Sequence, residues 1–139
     1  MNYDAICLNS KKVRNIIEQN WSNSPCIDGM FPFPIGWCRT ATDILGAYFK
    51  ELDPKGNYEI VVGMLGLHSH AWLEHNGYII DITADQFKEL TNQPVIVEKA
   101  EYSLPHKKFE VEEITPVDIE HIYSYQPESY LLSKLIEND

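Results

Sequence analysis

The sequence predicts an α+β fold in which a helix bearing a candidate nucleophile packs on an antiparallel β-sheet. Three observations predict it. Apolar residues recur at helical spacing in SKKVRNIIEQNW near the start and again from Trp37 to Leu52. Short β-branched or alternating runs follow from Tyr58 onward, and a last helical pattern closes the chain. Between the strands lies HSHAWLEHNGYIIDIT (His68 to Thr83), divided by Asn76-Gly77, the dipeptide that most readily supplies the positive φ angles of a two-residue hairpin turn. Helices followed by antiparallel strands indicate α+β, and with no repeat or linker a single domain is expected over residues 1–139.

In chain order, Val13, Ile16, Ile17 and Trp21 predict an amphipathic helix over Lys11 to Asn20, with Ser10 as its cap. The next stretch, SNSPCIDGMFPFPIG, holds three prolines and two glycines in fifteen residues, so it is a shaped loop. Phe31 and Phe33 on it either wall a cleft or cover the core edge. Ala41, Ile44, Leu45, Tyr48, Phe49 and Leu52 then make a wide apolar stripe that ends at Asp53-Pro54, because proline disfavours helix in the residue before it. YEIVVGMLGL (Tyr58 to Leu67) is nearly continuous in apolarity, as in a central strand covered on both faces. Ala84 to Leu90 predicts a helical turn or short helix. Pro94 to Ala100 and Lys108 to Ile114 alternate as strands, and Pro127 to Glu137 predicts a helix with proline at its start.

Composition narrows the function classes. Twenty-one acidic against eleven basic side chains give a net charge of −10, which repels phosphate backbones and anionic lipid. Nucleic acid and membrane are therefore not expected partners, whereas a peptide or protein substrate, including a basic one, is. Cys7, Cys26 and Cys38 are odd in number and form no CxxC pair, so neither a disulfide framework nor a zinc knuckle is indicated and a reducing cytoplasm is the expected compartment. The first residues carry no basic leader or apolar run of signal-peptide length.

The chemistry centres on the hairpin. With a two-residue turn at Asn76-Gly77, Trp72 lies opposite Asp81 and His70 opposite Thr83, so His70, Trp72 and Asp81 project to one face. His70 and Asp81 are then diagonal neighbours roughly 5.5–8 Å apart at Cβ, within reach of a carboxylate–imidazole bond. Ala71, Leu73, Ile80 and Ile82 make the other face apolar, which holds that register. Cys38 starts the helix after the proline-rich loop, where the unpaired N–H groups and the helix dipole stabilise a thiolate and Arg39 adds positive charge. Cys38 is thus a candidate nucleophile, His70 a general base then acid, and Asp81 the residue that orients it. The Cys38 backbone N–H would be one oxyanion donor, and Gln19, Asn20, Asn23 and the Trp37 indole are candidates for the second; Trp72 either walls the substrate or keeps the neighbouring histidine dry. Each residue also has a structural reading: cysteine is often simply buried, a strand histidine simply packed, and a strand-end aspartate a turn former. His68, His70, His75 and Asp81 include an HxH spacing that a metal would use, but His75 falls on the opposite face from His70 and no metal site is expected.

GWCRTATDIL followed by SHAWLE and then YIIDIT resembles the core of the transglutaminase-like superfamily of papain-fold cysteine enzymes. That core reads as Gly-x-Cys-Arg at a helix start, a His-Ala-Trp-x-Glu strand and a strand ending in Asp-x-Thr. The likeness falls on Gly36, Cys38 and Arg39, on His70, Ala71, Trp72 and Glu74, and on Asp81 and Thr83, about a third of the chain. It implies a papain-like core and attack by Cys38 on an amide or ester through a thioester acyl-enzyme. The calcium sites of animal crosslinking enzymes have no counterpart in these residues, so no cofactor is expected. A protease or amidase using water is the leading expectation. A transamidase or glutamine deamidase acting on a protein is the enzymatic alternative, and a binding module that keeps the fold without turnover is the other.

Overall fold

The computed structural model describes residues 1–88 and 91–138. Among these residues five α-helices and a five-stranded, wholly antiparallel sheet make the fold α+β. The helices are α1 (Tyr3–Asn20), α2 (Cys38–Leu52), α3 (Leu104–Lys107), α4 (Ile119–Tyr123) and α5 (Glu128–Glu137). The strands are β1 (Glu59–Leu65), β2 (His68–His75), β3 (Tyr78–Asp81), β4 (Ile96–Lys99) and β5 (Glu110–Pro116), arranged β4-β3-β2-β1-β5. Among the described residues no helix is long and apolar enough to cross a membrane.

Helix α1 begins eight residues earlier than its apolar spacing indicated, at Tyr3 rather than Lys11. Its cap is Asn2, whose side chain accepts from the Ala5 N–H at 2.8 Å. Ser10 lies mid-helix and buried, with its hydroxyl donated to the Ile6 carbonyl at 2.6 Å. A serine satisfied by the carbonyl four residues back does not end a helix. Helix α2 begins at Cys38 with Trp37 as its cap residue, and its stripe of Ala41, Ile44, Leu45, Ala47, Tyr48 and Phe49 is fully buried. Gly46 lets that helix seat closely on the sheet, since a Cβ there would stand 3.2 Å from Leu73 Cδ1 and 2.6 Å from Val117 Cγ2.

The first strand is shorter than the Tyr58–Leu67 run because Gly66, at φ 61°, and the 96 % exposed Leu67 form the turn into β2. The closing helix starts at Glu128, with Pro127 capping it rather than opening it. Ala84–Gln86 makes a single 3₁₀ turn, and the end of the Ala84 to Leu90 helix expected there lies outside the described residues. Helices α3 and α4 are too short to leave a periodic signature.

Two apolar clusters lie on opposite faces of the sheet. The larger joins α1, α2 and α5 to Ile60, Leu73, Ile80 and Ile82. The smaller holds Val61, Trp72, Ile79 and Phe109, with Phe87 and Leu65 against it. The alternation of β2 and β3 divides their residues between these clusters, which makes a one-residue slip costly on both faces.

Candidate active site

Asn76 and Gly77 take φ values of 50° and 80°, so the turn is the tight kind that two positive φ angles permit. The β2–β3 ladder pairs His75 with Tyr78, Glu74 with Ile79 and Leu73 with Ile80. Continued by one step, this register sets Trp72 against Asp81 and brings His70 diagonally to the carboxylate. His70 Nε2 lies 2.7 Å from Asp81 Oδ2. Both residues are 1 % exposed. The other oxygen, Oδ1, accepts the Thr83 N–H at 2.9 Å.

The hairpin pairing stops at Leu73, which leaves the backbone of Ala71 on that side without a strand partner. The first turn of α2 occupies the gap. The Thr42 hydroxyl donates to the Ala71 carbonyl at 3.3 Å as well as to the Cys38 carbonyl at 2.6 Å, and the Ala71 N–H is directed at the Cys38 sulfur. A helix that packs on one face of the sheet thereby delivers its first side chain to a histidine on the other. Among the described residues His70 Nδ1 is buried without a hydrogen-bond partner, and the Cys38 thiol is near enough to the ring for each to shift the other's pKa.

Burial of Cys38 by itself would raise its thiol pKa, but His70, the Ala71 N–H and the Gln86 side chain outweigh that and hold it below the ordinary value. For His70, burial favours the neutral ring, and the Asp81 carboxylate, with a smaller contribution from Cys38, overrides it and raises the pKa to about 9. Burial also opposes the charge on Asp81, yet His70 and His106 keep it well below the usual carboxylate range. Around them stand Phe87, 4.9 Å from the His70 ring, Phe109 at 5.7 Å and Trp72 at 6.0 Å between centroids. These apolar walls exclude water and strengthen each charge interaction inside.

Two residues that sequence reasoning did not single out belong to this site. His106 on α3 places Nε2 2.7 Å from the same Asp81 Oδ2, and Ser103 Oγ meets its Nδ1. Gln86, on the 3₁₀ turn after β3, accepts the Gly36 N–H at 3.1 Å and acts on the Cys38 thiol. Arg14 of α1 fixes that turn: it grips Asp85 with two nitrogens at 2.8 and 2.9 Å and donates to the Ile82 carbonyl at 2.8 Å. Neither residue stands in a local motif, and each reaches the site through a turn whose path the sequence does not reveal.

Other sequence-nominated residues take different places. The Trp37 indole is fully buried and donates to the Phe31 carbonyl at 2.7 Å, so it is not available to an oxyanion. Gln19 is exposed on the last turn of α1, Asn23 is exposed beyond it, and the Asn20 amide is donated to the Ile16 carbonyl. Trp72 is no substrate wall: it is 1 % exposed, donates its N–H to Glu74 at 3.0 Å and packs on Phe109. Arg39 turns to Asp43 at 3.2 Å. Phe33 joins the core beside Trp37 and under Arg14, whereas Phe31 is 66 % exposed.

His75 stacks on Tyr58 at 4.0 Å and bonds the Asn57 carbonyl, which removes it from any set with His70. Among the described residues the donors that do converge are His70, Asp81 and His106, whose ligating atoms lie within 4.8 Å of one another. Each imidazole places Nε2 on one carboxylate oxygen, so a metal would have to replace two N–H protons. No protein-family model, curated protein or solved structure matches the chain.

Proposed function

We propose that the chain is a cysteine-dependent hydrolase with a papain-like core of the transglutaminase-like kind, cleaving an amide bond in a peptide or protein through a thioester. One observation carries the reading: a buried His70, bonded through Nε2 to Asp81, keeps a second ring nitrogen without a partner and lowers the pKa of the thiol at the start of a helix. Packing alone would use the cysteine as a small apolar filler and would leave its pKa raised.

The reaction follows from these groups. His70 Nδ1 takes the Cys38 proton, and the thiolate sulfur attacks the carbonyl carbon. The Cys38 N–H, in a helix start with no side-chain cap, and the Gln86 amide receive the negative oxygen. The C–N bond then breaks, with the proton passing from His70 to the leaving nitrogen. Water, deprotonated by His70, attacks the thioester, the C–S bond breaks and a carboxylic acid leaves. Phe31, whose ring a Cβ added at Gly36, two residues before the nucleophile, would meet at 3.8 Å, offers an exposed apolar surface to the substrate. The net charge of −10 favours a basic one.

The test is the pH dependence of labelling by a small electrophile, followed by mass spectrometry of each cysteine. Cys38 should label faster than the exposed Cys26 at neutral pH and lose that advantage in His70→Ala. Equal rates at the two cysteines at every pH refute the reading. Peptide-library cleavage, with ammonia measured with and without an added amine, then separates hydrolysis from transamidation.

A further inference from the structure

The carboxylate that orients His70 is shared. Asp81 Oδ2 accepts from His70 Nε2 and from His106 Nε2, both at 2.7 Å, and Oδ1 is taken by the Thr83 N–H. His106 comes from α3, a single helical turn between β4 and β5, and Ser103 at its start is fully buried with its hydroxyl on His106 Nδ1. The same strap carries Phe109, which packs on His70 and Trp72. The residues from 103 to 109 thus form the back wall of the site. An apolar wall would be enough to keep water out. Burying a serine–histidine pair costs free energy unless each polar atom is bonded, so the pair calls for an explanation in charge rather than in packing.

We propose that His106, held by Ser103, is a positioning residue that shares Asp81 with His70 and thereby weakens the base behind the general acid. The inference rests on the proposed role of His70. The Ser103 hydroxyl donates to Nδ1, which commits the His106 proton to Nε2 and aims it at the carboxylate. A carboxylate oxygen that accepts two N–H groups has its negative charge divided between them and stabilises each partner less than it would alone. With His106 in place the proton on His70 is therefore held less tightly, and it returns more readily to a leaving nitrogen. Without His106 the full charge falls on His70, whose proton is retained to higher pH. Among the described residues the titratable groups that face this carboxylate are His70 from β2 and His106 from α3. Cys38 from α2 faces His70 on its far side. The other described neighbours, among them Trp72, Phe87, Thr91, Pro105 and Phe109, carry no charge.

Imidazole nitrogen-15 NMR of the intact chain tests this. In the wild type, His106 should carry its proton on Nε2 and a lone pair on Nδ1; the opposite tautomer overturns the proposal without any variant. In His106→Met the apparent pKa of His70 should rise by about 0.5–1 unit, and in His106→Gln, whose amide keeps a donor near the Nε2 position, it should stay at the wild-type value. Ser103→Ala, which releases the tautomer, should give a smaller rise. A His70 pKa that falls or does not move in His106→Met refutes the inference, because loss of packing alone loosens the carboxylate and lowers it. If His106→Met does not fold, the wild-type tautomer and Ser103→Ala decide. Labelling of Cys38 is read in parallel: a wild-type Cys38 no more reactive than Cys26 removes the hydrolase reading, while the His70 titration still reports on His106.

Discussion

His70 and Asp81, eleven residues apart, are joined Nε2 to Oδ2 at 2.7 Å across a hairpin whose turn is two residues long. A bulge anywhere between them would turn one side chain to the opposite face, so the bond depends on Asn76 and Gly77 as much as on the two residues that make it.

Asp81→Asn should leave the ring in place but remove the charge that holds its proton. The His70 pKa then falls from about 9, the Cys38 pKa rises, and labelling of Cys38 at pH 7 slows by about 10–100-fold. Rates measured from pH 5 to 10 check this. A rate unchanged at pH 7 would show that the carboxylate does not support the thiolate.

Stability should depend on pH at both ends. The raised pKa of His70 contributes stability that is complete below its ordinary value of 6.5 and is lost as pH rises through about 9. Asp81, depressed from 3.8, contributes stability present above that value and lost as pH falls toward its lowered pKa. Urea midpoints should therefore be highest between about pH 4 and 6.5 as far as these two groups decide. In the proposed mechanism turnover needs the Cys38 thiolate and the His70 proton together, so its alkaline limb should lie near 9.

Gly77→Ala should destabilise the fold by about 1–2 kcal/mol. Gly77 sits at φ 80°, and a Cβ there would meet no atom within 4 Å, so the loss isolates backbone strain from crowding. Chemical denaturation measures it, and a loss below about 0.3 kcal/mol would mean that the turn takes another form.

Gln86→Ala should raise the Cys38 pKa and slow acyl transfer by about 10²–10³-fold if its amide is an oxyanion donor. Arg14→Met, which releases the turn carrying Gln86, should act in the same direction more weakly. The thiol pKa from labelling and the thioester formation rate on an activated ester separate the two effects. A normal acylation rate in Gln86→Ala assigns the amide to holding Gly36 and the Thr83 carbonyl.

Much of this site was legible because its main parts are local. The α2 start is written in the proline-rich loop and the stripe after it, and the β2–β3 register is written in Asn76-Gly77 and in alternation on both strands. The start of α1 was missed because Ser10 imitates a cap while its hydroxyl is satisfied within the helix. The roles of Trp72 and Trp37 were not legible for a related reason. Their indole N–H groups have partners, Glu74 and the Phe31 carbonyl, that are visible only in space.

By itself the sequence determined which faces of β2 and β3 are apolar, where the chain turns between them, and that a cysteine opens a buried helix. Periodicity and turn chemistry act within a few residues, so they can be read along the chain. Only the tertiary structure decided that α2 reaches past the end of the hairpin pairing to set Cys38 beside His70, that Arg14 fixes the turn carrying Gln86, and that His106 joins Asp81. Those contacts span as many as 71 positions along the chain. Their geometry is set by how the elements pack, which no local pattern records.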